Sequence, residues 1–421
     1  KILKIHKKAE KNMKSDIDVI IVGGGMIGLS VAYWLTKKNK KVLVLEKTET
    51  LAAGSSGAGD GHIYHNTKMP GYHTNLGFTG GGMYPEILKD LGDSCGFTEG
   101  SGSYLLCDNE QEYEIVAAAT KKMQESGADI YMLTGDELRE REPYLSEHIY
   151  AASYAPSGGK IDPFELVFAY ARKAEERGAT IICGAGVDEV IIENGKAVGV
   201  KTSKGDYYAN TIVDAAGSWS GFLGKAAGLY VPVKPRKGQI VVTEGCAPMI
   251  KGPVTTASNF CAKLQPELMG LFSDMTKKLG HGAALEQTEA GTILIGATNE
   301  WDDFDKSNTI EAIEWLIAEA CREMPALKNA HFIRSFSGFR PFTPDHLPIV
   351  GTTAYLENYV FATGFEGGGL SLNPVIGRMV SELICGEELC VTNEPLRPDR
   401  LVKPYDQATE EEIANNLPKG I

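Results

Sequence analysis

The chain has 421 residues, 43% of them hydrophobic and 23% charged, which suits a globular protein of two or three units with real cores. A net charge of −13 argues against a nucleic-acid surface, and no apolar run approaches the roughly twenty residues that span a bilayer. The acidity reads as a charged, soluble surface, and a cytoplasmic location is expected. The eight cysteines are scattered, with no CxxC, and Cys385 and Cys390 lack partners at cluster spacing. They read as reduced thiols, and neither a metal site nor an iron–sulfur cluster is expected in this chain.

Residues 1–15 are basic without the apolar centre of a signal peptide. They read as an arm or a leftover of the expression sequence, and Met13 could be the native start. From Asp18 to Glu46 the chain runs DVIIVGGGMIGLSVAYWLTKKNKKVLVLE: an apolar strand, the triplet Gly23-x-Gly25-x-x-Gly28, an amphipathic helix to about Lys38, and a second strand ending in Glu46. Gly23 permits the turn, Gly25 lets phosphate approach the backbone, and Gly28 lets the helix lie close on the strand. The amides of Met26 and Ile27 would then face a pyrophosphate. Glu46, eighteen residues past Gly28 and followed by Lys47, stands where an acid meets a ribose hydroxyl pair. A lone GxGxxG is weak evidence, but with both strands, the helix and the acid it predicts dinucleotide binding. These residues do not separate FAD from NAD.

Next come a loop over residues 51–63 too glycine-rich for helix or strand and helices at about 80–91, 110–126 and 134–142, the last with a Thr134-x-x-Glu137 capping box. Asp162-Pro163 starts a helix to about Arg177. Residues 180–217 are strand-like, with hairpin turns at Asn194-Gly195 and Lys204-Gly205, and a helix follows at about 218–227. Strands at 237–243, 292–297 and 331–336 flank a helix at 309–324 and suggest a second, largely antiparallel sheet. A short strand at 359–362, the loop GFEGGG and a helix at 371–384 return to the first type. The predicted fold class is α/β with an α+β second domain, a Rossmann-like unit carrying an inserted substrate domain. Residues 16–80, 150–230 and 340–390 are assigned to the dinucleotide unit and 81–149 and 231–339 to the cap, leaving 391–421 as a tail.

The segments GGGMIG (23–28), AGSSGAG (53–59), IVDAAGSWS (212–220), GFRPFTPDHLPIVG (338–351) and ATGFEGGGLSLNPVIG (362–377) resemble the D-amino-acid oxidase family of flavoproteins. That group includes glycine and sarcosine oxidases, and the resemblance runs over most of residues 16–388. Within it the chain looks most similar to the catalytic beta-type subunits of proline, hydroxyproline, opine and cyanide-forming glycine dehydrogenases. The resemblance implies FAD. Ser55 and Ser56 would bond phosphate or ribityl oxygens, and Gly57 to Gly61 would line the ring. Val187 would meet the adenine; Ala215, Ala216 and Gly217, followed by Trp219, would pass the pyrophosphate. Gly338 and Arg340 would border the ring, and Gly364, Glu366, Gly367, Gly368, Gly369 and Leu370 would bring amides to flavin O2. There the dipole of the following helix would favour a reduced, anionic flavin. Gly338 stands where some members carry a flavin-linked Cys, and residues 47–52 hold no His, so the FAD is expected to be non-covalent.

Arg340 is the leading catalytic candidate, because a planar guanidinium can hold a substrate carboxylate with two parallel hydrogen bonds. His62 and Glu366 are the other two, His62 expected to pack by the flavin rather than move protons and Glu366 to cap a loop. Tyr64, Lys263 and Glu286 are weaker pocket candidates. The implied reaction is hydride transfer from the α carbon of a small amino or imino acid to flavin N5, which needs orientation more than a general base. Electrons would pass to partner subunits carrying iron–sulfur or flavin, in an oligomer. Alternatives are an oxygen-using oxidase, a tRNA-modifying flavoprotein, which the acidic charge disfavours, and a non-catalytic flavin scaffold.

Overall fold

Runs such as Val19–Val22 (VIIV) and Val42–Leu45 (VLVL) have no polar face, so they must be covered on both sides, as in a parallel sheet. The computed structural model describes residues 16–98, 100–280 and 282–416, so the arm expected at 1–15 and the end of the 391–421 tail lie outside the described residues. Six strands follow the order Ile349–Thr352, Tyr359–Thr363, Thr211–Asp214, Val19–Val22, Val42–Leu45, Thr180–Ile182. All pairs are parallel except that of the edge strand Ile349–Thr352. Alternation decides which layer each residue meets. Val19, Ile21, Val42 and Val44 pack against the helices Met26–Lys37, Pro163–Glu176 and Gly369–Cys385. Ile20, Val22, Leu43 and Leu45 face a three-stranded antiparallel sheet, Val187–Glu193, Lys196–Thr202 and Gly205–Tyr208, and the helix Ser220–Ala226.

The strand order reverses beside Val19–Val22, and there the carboxyl ends open a crevice of the kind that holds ligands in α/β sheets. Gly23 has φ +118°, and a Cβ on it would lie 2.4 Å from the Ala215 carbonyl oxygen; one on Gly28 would lie 2.1 Å from Gly23 O. Only glycines allow this turn and this helix approach. Asp214, fully buried with its carboxyl pushed up to about 6 by burial, accepts from Ala216 N (3.1 Å) and Ser220 Oγ (2.8 Å) and so shapes the turn opposite.

The second sheet has eight strands in the order Phe332–Phe342, Lys234–Gly245, Thr292–Gly296, Ala284–Gln287, Val254–Thr256, Ser103–Cys107, Ala151–Ala155, Tyr131–Thr134. It is antiparallel except between Val254–Thr256 and Ser103–Cys107. Helices Glu110–Glu125 and Ile310–Glu323 pack on it through Val116, Ala119, Leu316 and Ala320. Two sequence assignments change. Ala151–Ala155, placed with the dinucleotide unit, pairs in this sheet, and the strand expected at 331–336 runs on to Phe342, carrying Arg340 with it. The helix expected at 80–91 is two helices, Tyr72–Gly82 and Tyr84–Leu91, and the loop at 51–63 holds a 3-10 turn, Ser55–Ala58, and the short strand His62–Ile63. Caps form as read: Asp162 accepts from Phe164 N and Glu165 N, and the Thr134–Glu137 box closes.

Helix Gly369–Cys385 contains Pro374, whose missing N–H frees the Leu370 carbonyl. Tyr84 OH (2.6 Å) and Asn373 Nδ2 (2.9 Å) donate to that oxygen, while Asn373 Oδ1 accepts from Tyr170 OH (3.0 Å). The first turn of this helix is thereby pinned at the crevice. Asn373→Leu strips partners from several buried groups at once and is expected to cost about 1–3 kcal/mol of stability. Thermal unfolding checks this, and an unchanged midpoint would show that the network carries no stability.

Candidate cofactor and substrate cavity

A cavity of about 890 Å³ runs from the first glycine turn to the eight-stranded sheet. Gly23, Gly25, Met26, Ile27, Glu46, Lys47 and Val187 line its near end. Ser55, Ser56, Ala215, Ala216, Gly217 and Trp219 line its middle. Gly338, Arg340, His62, Glu366, Gly367, Gly368, Gly369 and Leu370 line its far end. Four predicted contacts do not reach the wall. Gly28 packs helix on strand, and a Cβ on Gly57 would meet Ala52 O at 2.4 Å. Gly61 N donates to Glu286 (2.8 Å), and a Cβ on Gly364 would meet Thr343 at 2.5 Å, so these glycines let other chain segments close behind the wall.

The near end suits a dinucleotide on its own chemistry. Helix Met26–Lys37 starts at Gly25 with no side-chain cap and no acid in its first turn, leaving amide donors for an anion. Ser56 Oγ accepts from Met26 N (2.9 Å) and keeps its own proton for an oxygen in the cavity. The Glu46 carboxylate accepts from Gly24 N, Thr48 N and Thr48 Oγ1, each at 2.8 Å, which fixes it at the end of its strand. Ser55 departs from expectation: its hydroxyl donates to Phe339 O (2.5 Å), so it ties the glycine loop to the strand of Arg340. Gly338 likewise serves packing, since a Cβ there would lie 2.2 Å from that of Ala58 and no cysteine fits.

Charges crowd the far end. His62, 4% exposed, has Asp60 at 3.2 Å on Nδ1 and Glu286 at 3.0 Å on Nε2. Burial would lower its pKa, but the two carboxylates outweigh it and raise the ring to about 10. Asp60 is held low against its burial chiefly by that imidazolium. Tyr64 stacks edge-on with His62 at 4.8 Å, and burial drives its phenol well above the usual range. Arg340 donates from Nη1 to Thr298 O (2.9 Å); burial lowers its pKa, with Asp60 and Glu366 opposing. Glu366 is no simple loop cap. Burial would raise its carboxyl, but Lys263 (3.2 Å) and His346 Nδ1 (2.6 Å) hold it well below the carboxylate range. Both His346 (φ +60°) and Glu366 (φ +46°) occupy left-handed backbone, a local strain of the sort found at functional sites.

Sequence reasoning missed Asp60, Lys68, His73 and Arg236, all on the cavity wall. Arg236 pairs in register with Arg340 across the sheet, and burial followed by Arg340 lowers it to about 10. Lys68 is 6% exposed and lowered to about 8 by burial and Lys263, and His73 is lowered to about 3 by burial and Lys68. Strand alternation from Gly238 could have pointed to Arg236; no motif marks the others. Away from the cavity, Asp108, His148 and Glu323 cluster at metal-ligand spacing, but Arg322 lies 2.7 Å from Asp108 and 2.6 Å from Glu323 and supplies the cation.

The sign of the His62 effect follows from its raised value. Its charged form stabilises the fold fully below about pH 6.5, and that contribution declines above it and is lost as pH rises through about 10. The gap in unfolding midpoint between the protein and His62→Gln is therefore expected to be largest at the acid end of this window and to close near pH 10. A gap independent of pH would mean that the imidazole is not charged.

Comparison with known proteins follows the same lines. The hydrogen cyanide synthase subunit HcnC of Pseudomonas aeruginosa is 28% identical over 417 residues, covering 90% of this chain and 94% of that one. The crystal structure of glycine oxidase from Geobacillus kaustophilus superposes with a TM-score of 0.80 at 26% identity, covering 90% of this chain and 98% of that one. That of L-proline dehydrogenase from P. horikoshii gives 0.80 at 28%, covering 92% and 98%. The family model described as FAD dependent oxidoreductase (DAO) matches residues 18–383, and the chain belongs to that family of FAD-dependent flavoproteins.

Proposed function

We propose that the chain oxidises the carbon–nitrogen bond of a small amino or imino acid, of the proline, hydroxyproline, glycine or sarcosine type. The carrying observation is Arg340: a half-buried guanidinium on the cavity wall, oriented through Nη1 by Thr298 O, with its remaining N–H groups, free of other partners among the described residues, open to a carboxylate. Relatives named glycine oxidase and L-proline dehydrogenase support this substrate class. FAD held in this cavity would supply a hydride acceptor for the α-hydrogen, the nitrogen lone pair closing the C=N bond, the N–H proton passing to solvent and water then being free to add to the imine.

The residues present divide the work in a particular way. His62 is already protonated at neutral pH, Tyr64 is held far above it, and His73 is lowered to about 3, so none is a ready base there. Rate must then come from orientation and exclusion of water, with the charged His62, clamped by Asp60 and Glu286, holding the wall in place. The donor-rich start of helix Gly369–Cys385, uncapped by any side chain, faces the same end and favours negative charge there. Non-covalent retention of FAD is part of this reading.

Arg340→Ala is expected to lower kcat/KM by about 100-fold or more, the scale of a lost charge-assisted pair, with FAD content retained and partial recovery in Arg340→Lys. Anaerobic bleaching of the flavin by glycine, sarcosine and D- and L-proline measures it; wild-type rates in Arg340→Ala would sink the assignment and restore the scaffold alternative.

We further propose that the electrons leave through partner subunits rather than to dioxygen, a reading supported by likeness to a protein named as a synthase subunit. The purified chain in air is then expected to give little peroxide yet reduce an artificial dye. Stoichiometric peroxide at each turnover would favour the oxidase reading, which the glycine oxidase likeness also supports.

A further inference from the structure

The far end of the cavity gathers more positive charge than a single carboxylate can answer. Lys68, Arg236, Lys263, Arg340 and His62 stand against the carboxylates of Asp60, Glu286 and Glu366, an excess of two. The acids are also unevenly placed. Asp60 and Glu286 flank His62, and Glu366 forms its ion pairs with Lys263 and His346. Among the described residues, Lys68 Nζ has no hydrogen bond or ion pair, although it sits close enough to the backbone that a Cβ on Gly368 would lie 3.0 Å away. Arg236 lies over the rings of Trp301 (5.4 Å) and Phe342 (5.8 Å), but its Nε is buried without a partner. Arg340 uses a single donor, to Thr298 O. Lys68 is buried and the two guanidiniums are half-buried, and cations so placed with unanswered donors are costly, so the three together suit anionic oxygen from outside.

We propose that the amine oxidised is a dicarboxylic amino or imino acid, one carboxylate held at Arg340 and the second taken by the open donors of Arg236 and Lys68 around Glu366. The inference rests on the amine-oxidation reading above. With its amine neutral, such a substrate brings two negative charges and cancels the excess, whereas glycine, sarcosine or proline would leave one cation unanswered. Glu366 keeps the cations apart and sets where the second carboxylate lies, since Lys263, His346 and Arg236 all converge on it.

The test uses the FAD-loaded protein and two thioether acids that cannot be oxidised as amines, thiodiacetate and (methylthio)acetate, with binding read from perturbation of the flavin absorbance. The diacid is expected to bind about 30-fold more tightly or better, the effect of one added charge-assisted contact, and Lys68→Met or Arg236→Met should each cut that ratio about tenfold, with Arg236→Lys restoring part of it. Iminodiacetate should likewise bleach the flavin with a higher kcat/KM than sarcosine. Equal affinities for the two thioethers would overturn the proposal. So would variants that leave the ratio intact while shifting the flavin midpoint potential, because the cations would then serve the reduced flavin. Bleaching by sarcosine and iminodiacetate with equal kcat/KM defeats the diacid assignment alone, whereas diacid-selective binding with no bleaching by any amine defeats the amine-oxidation reading and the substrate class with it.

Discussion

The two sheets are tied together along the end of strand Phe332–Phe342. Phe339 O accepts from Ser55 in the glycine loop and from Ser218 (3.2 Å) in the turn that follows Thr211–Asp214. The next residue is Arg340. A backbone acceptor shared by two loops of the parallel sheet therefore sets where the guanidinium stands relative to the cofactor crevice. Strand Phe332–Phe342 belongs by pairing to the eight-stranded sheet, but its far end is fastened to the six-stranded one. One strand thereby brings Arg340, the group proposed to take the substrate, up to the cofactor crevice.

That junction also explains the electrostatics. Placing one sheet over the other half-buries a wall rich in charge, and ions removed from water are stable there chiefly when paired. The molecule answers in two ways. At Asp60, His62 and Glu286 it pairs internally, with a cation between two acids, so the triad is part of the wall. At Lys68, Arg236 and Arg340 it leaves donors open, and these groups are the ones that a bound anion would complete. Satisfied and unsatisfied charges thus lie side by side, and the distinction separates what supports the site from what it takes up.

Legibility in the sequence followed the physical range of each signal. The first βαβ unit could be read because strand period, glycine turn and terminal acid are all local, and Gly23, Gly28 and Glu46 make the contacts such a unit needs. Capping at Thr134 and Asp162 was readable for the same reason. The split into Tyr72–Gly82 and Tyr84–Leu91 was not, because a glycine-rich segment with weak apolar periodicity is held helical by tertiary contact: a Cβ on Gly80 would lie 2.1 Å from Ser371 O. Arg340 stood in a motif. Its neighbour Arg236 reaches the cavity only through a pairing a hundred residues apart in sequence, roughly the separation at which local patterns say nothing. The partners of Ser55 and Glu366, Phe339 and the Lys263–His346 pair, come from other elements and leave no local mark in the sequence.

The same reasoning bears on why the site needs no acid–base residue of its own. Five groups at the far end are pushed away from neutrality in the direction that freezes their protons: His62 and Tyr64 upward, Asp60, Glu366 and His73 downward. Lys68, lowered to about 8, moves the other way, and like Arg236 it has no ion-pair partner among the described residues. An anion bound beside it would raise its pKa again, so occupation of the site and protonation of Lys68 are linked in the same direction. On the proposed reading the cavity is a template of fixed charges with one adjustable member, and its selectivity would follow from which anions can fill it rather than from which protons it can move.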